Sequence, residues 1–242
     1  MSTDTYQFAI SGLKVDVVRK QIKNLHLGVY PPHGRIRVAA PLGLTRDAVR
    51  LAVIDKLTWI KRQRAKFEAQ SRQAEREMVS GETHYFMGRR YRLRVVERPG
   101  RAVVATSGKH TILLYVPLNS SRERRERVLQ RWYRAHLKEL VGPLLAPWQK
   151  ALGVQIGSWG VRKMKTKWGS CNPKTGRILF NLELAKKPVQ CLEYVVVHEL
   201  AHLLIRKHDD RFLSLLDKHM PNWRQYRSEL YATPLGSEGW AE

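Results

Sequence analysis

The residues best equipped for chemistry lie in one short stretch, His198-Glu199-Leu200-Ala201-His202. Two histidines four apart on a helix stand one turn apart on the same face, so both imidazoles can reach one Zn²⁺. Glu199 lies one step round the helix, beside the metal but not forced to ligate it. A carboxylate there can take a proton from water that the metal has already made more acidic. Two ligands, one base and one helix are the parts that zinc-dependent peptide hydrolysis uses.

The pattern is short, and its setting gives it weight. Val195, Val196, Val197, Leu200, Ala201, Leu203 and Leu204 make the stretch apolar nearly all round, which places the helix in an interior. Two histidines and a glutamate there are costly unless partnered. Hydrogen bonds to neighbours could partner them; a metal would satisfy the whole set. A catalytic zinc needs a third protein ligand. His208 is the nearest candidate, six residues past His202. An unbroken helix would turn it away, because six steps of about 100° do not return to one face. The helix must therefore end near Ile205 or Arg206. Asp209 or Asp210 can cap a new helix beginning at Arg211. Glu193, Asp209, Asp210 and His219 are rival ligands.

The run HELAHLLIRKHDDRF, with WGSC at Trp168 to Cys171 before it and MPNW at Met220 to Trp223 after it, resembles the YgjP-like metallopeptidases. These belong to the minigluzincin group and are distantly related to SprT-like proteases. The similarity spans about residues 121–232. It implies a small zincin-like fold, zinc on His198, His202 and His208, and Glu199 as general base. The third ligand would be a histidine, as in that family, not a downstream glutamate. The distant SprT-like relationship implies, further, substrates that are proteins attached to nucleic acid. The glycine and histidine spacing of metzincins is missing after His202, so Met220 reads as a core residue.

The elements that must position these groups follow the chain. Strands are expected over residues 8–15, 25–29 and 36–38, with a turn at Pro31 to Gly34. Thr45 should cap a helix running to about Gln70, with Leu44 and Val49 as a hydrophobic staple. Strands resume at 83–87, 91–95, 102–105 and 111–116. Ser120 and Glu123 fit a capping box for a second helix, which Pro143 and Pro147 should end. Its core face is Val128, Leu129, Trp132, Leu137, Leu140 and Val141. Arg124, Arg127, Arg131, Arg134 and Lys138 form a basic stripe at intervals of three and four, suited to phosphate or simply to solvent. The chain rhymes with itself: strands, Pro-Leu, helix, twice over. Residues 161–168, with Lys163, Lys165 and Lys167 on one face, should pair with 178–184 as a hairpin whose edge could take a peptide. Pro188 suits the start of the active-site helix, and two short helices split by Pro221 should follow His208. Pro234 to Glu242 reads as a frayed tail.

Together these give an α+β chain: a β-rich module with one long helix over 1–117, then a zincin-like peptidase domain over 118–242. That domain should contain a backing helix, a short antiparallel sheet, the histidine helix and C-terminal helices. No run is long enough to cross a membrane and no secretory signal is visible. Two cysteines, Cys171 and Cys191, fit a reducing cytosol and exclude a disulfide scaffold. With 44 Lys+Arg against 21 Asp+Glu, the net charge is +23. That favours polyanions and leaves a second reading: a nucleic-acid-binding protein with a structural or vestigial zinc site. The expected partners are a protein or peptide substrate and, through the basic surface, nucleic acid. Composition does not fix the oligomeric state.

Overall fold

The computed structural model describes residues 4–30, 34–69, 76–164 and 167–232, with backbone alone at 66–69. The chain divides into two compact units, with the boundary between Arg72 and Gln73.

The first unit is a four-stranded sheet in the order β1-β2-β4-β3, with two helices. Its strands are β1 (Thr5–Ile10), β2 (Leu13–Lys20), β3 (His26–Tyr30) and β4 (Arg35–Pro41). The alternating apolar residues of β2 and β4 supply one buried face: Val15, Val17, Ile36, Val38 and Ala40. Val49, Val53 and Ile60 cover it from α1 (Arg46–Asp55) and α2 (Leu57–Ala69). Thr45 caps α1 as expected, its Oγ1 accepting from Ala48 N–H at 3.2 Å. The single long helix expected here is broken at Lys56, whose φ of −102° and ψ of 8° leave the helical range. The expected end at Gln70 and the turn residues Pro31 to His33 lie outside the described residues.

The second unit opens with another four-stranded sheet, β5 (Thr83–Phe86), β6 (Arg89–Glu97), β7 (Val103–Ser107) and β8 (Thr111–Val116), in the order β5-β6-β8-β7. Both sheets have antiparallel outer pairs and a parallel central pair. Both first hairpins turn through two left-handed residues, Ser11-Gly12 and Met87-Gly88. Each last strand leads through Pro-Leu to a helix capped four residues after the proline, by Thr45 and by Ser121. The rhyme in the sequence is thus a repeated topology.

The second sheet lies in the same unit as the histidine helix, so the boundary expected at 117 differs from the division observed. Met87 and Gly88 donate to Ala185 O and Lys186 O at 2.9 and 3.1 Å. Tyr133 OH donates to Tyr85 O at 2.8 Å. A Cβ at Gly88 would fall 2.7 Å from Pro188 Cγ, so the hairpin tip approaches the start of the histidine helix as only glycine can. Leu93, Ile112 and Leu114 are fully buried.

Helix α3 (Arg122–Leu152) runs through both prolines rather than ending at them. Gly142 has no Cβ to meet the Pro143 ring, and the buried residues Val141, Leu145 and Leu152 keep the helix packed on either side of both prolines. Gly153, left-handed at φ 65°, ends the helix. Its N-cap is Ser121, one residue later than the expected capping box; Ser120 is buried and accepts from Arg125 Nε at 3.0 Å. Strands β9 (Ser158–Arg162), β10 (Gly169–Asn172) and β11 (Arg177–Asn181) form a mixed sheet in the order β10-β11-β9. The expected partner of β11 was 161–168. Its antiparallel partner is instead β10, and β9 pairs with it in parallel. Lys163, Met164 and Lys167 lie between strands; Lys165 and Thr166 are outside the described residues. A 3₁₀ turn, Leu182–Lys186, then leads to α4 (Val189–Ala201), α5 (Asp210–His219) and α6 (Trp223–Ala232). The tail beyond 232 is not among the described residues. The chain is α+β, and no described helix is long and apolar enough to cross a membrane.

Candidate metal centre

Helix α4 starts at Pro188, whose carbonyl accepts from Cys191 and Leu192 N–H, and packs against α3. Its valines and leucines are buried on nearly every side, as the sequence requires. That burial carries His198 and Glu199 inward.

The helix ends sooner than expected, at Ala201, with His202 as C-cap. Leu203, Leu204 and Ile205 N–H still bond back to Leu200 and Ala201 carbonyls at 2.9–3.0 Å. No residue from 202 to 209 has positive φ, so the chain folds back without glycine. Asp209 then caps α5, accepting from Phe212 N–H at 3.3 Å. This reversal returns His208 to the helix.

The outcome is a cluster of His198, His202 and His208, with one ligand atom from each and all of these within 4.8 Å of one another. His208 Nε2 and His198 Nε2 are 3.0 Å apart. For comparison, a tetrahedral metal with bonds of about 2.0–2.1 Å sets its nitrogens roughly 3.3 Å apart. His202 Nδ1–H donates to Ile205 O at 3.0 Å, and His198 Nδ1 lies 3.4 Å from Tyr194 OH. On His202 the proton on Nδ1 leaves Nε2 as the lone-pair nitrogen, and on His198 the Tyr194 hydroxyl engages Nδ1, so Nε2 is the nitrogen turned to the cluster. Burial lowers His198 to about 3, helped by the neighbouring imidazoles, and burial likewise lowers His202. Both are therefore neutral at pH 7, the form that binds metal. The donor set fits zinc: three imidazoles, with the solvent-facing His208 leaving the cluster open on one side.

Phe212 was expected only as core. Its buried ring packs on all three imidazoles, with centroids 5.0, 4.9 and 4.8 Å away. Tyr194, one turn before His198, stacks on Trp223 at 6.2 Å. Trp223 Nε1 is fixed in turn by Asp217 at 2.8 Å. The i, i+4 spacing of Tyr194 and His198 was the one signal of this support in the sequence.

Glu199 is 5 % exposed and lies against β10. A Cβ at Gly169 would sit 2.4 Å from Glu199 Oε1, so the carboxylate occupies space that only glycine leaves. Burial pushes its pKa up to about 8, with Lys167 pulling the other way. Cys171, also on β10, is pushed up to about 11 by burial and by the Glu199 charge.

The rival ligands are occupied elsewhere or stand apart. Glu193 accepts from Trp148 Nε1 at 2.9 Å, and Asp209 is the cap of α5. Among the described residues neither these nor Asp210 and His219 join the histidine cluster. Asn181 is fully buried and committed to holding the strand connection. Its Oδ1 accepts from Met164 and Glu183 N–H at 3.2 Å each, and its Nδ2 donates to Met164 O and Lys167 O at 3.0 and 2.7 Å. It has no donor left for an oxyanion.

Among known families, a model described as "YgjP-like, metallopeptidase domain" matches residues 23–233. Among solved structures, the metallopeptidase zymogen of Pyrococcus abyssi abylysin is similar at 21 % identity, over 42 % of this chain and 99 % of that one, with a TM-score of 0.37. No curated protein matches.

Proposed function

This chain belongs to the YgjP-like metallopeptidase family, and we propose that it is a zinc-dependent peptidase in which His198, His202 and His208 hold the metal and Glu199 is the general base. The observation that carries this is the convergence of three imidazole nitrogens, two of them with the other ring nitrogen already engaged. Zinc bound there would supply Lewis acidity toward a carbonyl and make water a better nucleophile near neutral pH.

The chain's own residues do the rest. His198 and His202 are held by Tyr194, Ile205 and Phe212, so their rings need little reorganisation on binding. Glu199 accepts the proton of the attacking water and passes it to the leaving nitrogen. Burial keeps this carboxylate basic enough for the first transfer, and an adjacent positive charge favours its ionised form before the reaction. β10 is the outer strand of its sheet. An extended peptide adding along it would gain backbone hydrogen bonds and pass close to Glu199.

The decisive variant is Glu199→Gln. It should keep one zinc per chain, measured by elemental analysis, while hydrolysis of an unfolded protein substrate falls by about a hundredfold or more. Wild-type turnover in that variant removes the general-base role. A chain that binds no zinc removes the proposal altogether.

A further inference from the structure

Away from the histidines, α3 and the edge of the second sheet enclose an open cleft of about 900 Å³. One wall is the β6–β7 turn and β7, from Gly100 to Val104; the other is α3 from Arg124 to Arg134. Five arginines line it: Arg101, Arg124, Arg127, Arg131 and Arg134. None of the five forms an ion pair among the described residues, and no acidic side chain joins the lining. The nearby acids are turned to other partners. Glu97 pairs with Arg125 at 2.7 Å, and Glu126 accepts from Gln130 at 2.7 Å and Lys163 at 3.5 Å. Glu123 sits at the first turn of α3, where its own backbone N–H and Ser121 hold its carboxyl low and Arg127 adds a smaller effect.

Between the arginines lies Trp132. It is half-buried and lines the cleft, its ring packed with Phe86, Tyr133 and His136 at centroid distances of 4.5, 5.1 and 4.8 Å. β7 is the outer strand of its sheet, and Val103 on it is 43 % exposed.

The basic stripe visible in the sequence is thus one wall of a concave site. From Arg124 to Arg134 the helix rises about 15 Å, which spaces the guanidinium groups along a line. Guanidinium forks match phosphate oxygens in pairs, and an indole offers a face on which a base can stack. We propose that this cleft binds single-stranded nucleic acid, with phosphates on the arginines and a base against Trp132. An acidic peptide laid along β7 would use the same charges. Its aspartate and glutamate side chains have no aromatic face to set against the indole, whereas every nucleotide has one. The proposal is independent of hydrolysis at the metal centre.

The test uses the full chain, a fluorescein-labelled oligothymidylate of about 20 nucleotides and anisotropy from about 50 to about 200 mM salt. Arg127→Glu with Arg131→Glu should weaken binding by about tenfold or more. It should also flatten the plot of log Kd against log salt by roughly 1.4, two phosphate contacts' worth. Arg90→Glu with Arg94→Glu, exposed on β6 and outside the lining, changes the net charge equally and should cost about twofold or less. Equal losses from the two pairs mean general charge attraction and overturn the site. So does polyglutamate of matched charge displacing the oligonucleotide as well as unlabelled oligothymidylate does, which would make the cleft an acidic-protein surface. Failure to saturate at about 150 mM salt overturns it too.

Discussion

At the scale of single residues, the site depends on side chains that hold others. Phe212 touches all three imidazoles, Tyr194 meets His198, and Ile205 fixes His202 through a backbone carbonyl. Gly169 does its part by having no side chain. A methyl group there would meet Glu199 Oε1 at 2.4 Å and force the carboxylate aside. Displacing a reacting group by about 1 Å can cost about a hundredfold. Gly169→Ala should therefore keep its zinc, since no ligand is touched, while turnover falls at least tenfold. Zinc content and steady-state hydrolysis together check this. Activity within twofold of wild type would show that Glu199 tolerates the shift and does not need this placement.

At the scale of elements, β5 docks on the 3₁₀ turn Leu182–Lys186 and brings a buried histidine with it. His84 is 1 % exposed, with Nε2 at 3.3 Å from Glu82 Oε2. That carboxylate would favour a charged ring, but burial outweighs it. Burial, with Arg76 and Lys186 adding to it, lowers His84 to about 3. In the unfolded chain an imidazole titrates near its ordinary value of 6.5. Between those values the unfolded chain holds the extra proton. The contribution to stability is therefore fully present above about pH 6.5 and is lost as pH falls toward 3. The loss is on the order of 2 kcal/mol at pH 5, an upper figure for one proton. Denaturant unfolding of wild type against His84→Gln, between pH 8 and pH 5, isolates it from the acid-labile metal ligands. Parallel pH profiles for the two proteins would mean that His84 is not the group responsible.

At the scale of the whole molecule, the second sheet belongs with the unit that carries the histidine cluster. The Met87-Gly88 hairpin bonds to the turn before α4, and Tyr133 of α3 bonds to β5. A fragment over 76–242 should fold cooperatively and bind zinc. One over 118–242 should do neither, because it leaves bare the faces of α3 and the 3₁₀ turn that this sheet covers. Circular dichroism melts and zinc content distinguish them. A cooperative, zinc-binding 118–242 fragment would restore the boundary read from the strand-to-helix change at Pro117. The repeated sheet topology on either side of residue 73 explains why the boundary was hard to place. Two like β-then-α modules present the same composition and periodicity, and only their packing shows which one serves the site.

What the sequence determined by itself was local. The i, i+4 histidines, the apolar shell of α4, the Thr45 and Asp209 caps and the alternation in β4 and β8 follow from periodicity and short-range hydrogen bonding, whereas the single strand expected over 8–15 is split by the Ser11-Gly12 turn into β1 and β2. Family resemblance pointed to His208 as the third member of the cluster. Tertiary structure decided whatever depends on residues distant in the chain. Strand pairing gave β11 to β10 and β9 rather than to the lysine-bearing segment, and Asn181 pins that segment as a connection. Packing set Phe212 beneath three rings and Gly169 against Glu199, where sequence showed only an apolar residue and a small one. Continuity of α3 through Pro143 and Pro147 goes with burial on both sides of them, at Val141, Leu145 and Leu152, which a rule about proline alone does not weigh. Alternation and capping are properties of neighbours in sequence, and they are legible there. Which surfaces meet is a property of the folded chain, settled by burying one particular set of faces together.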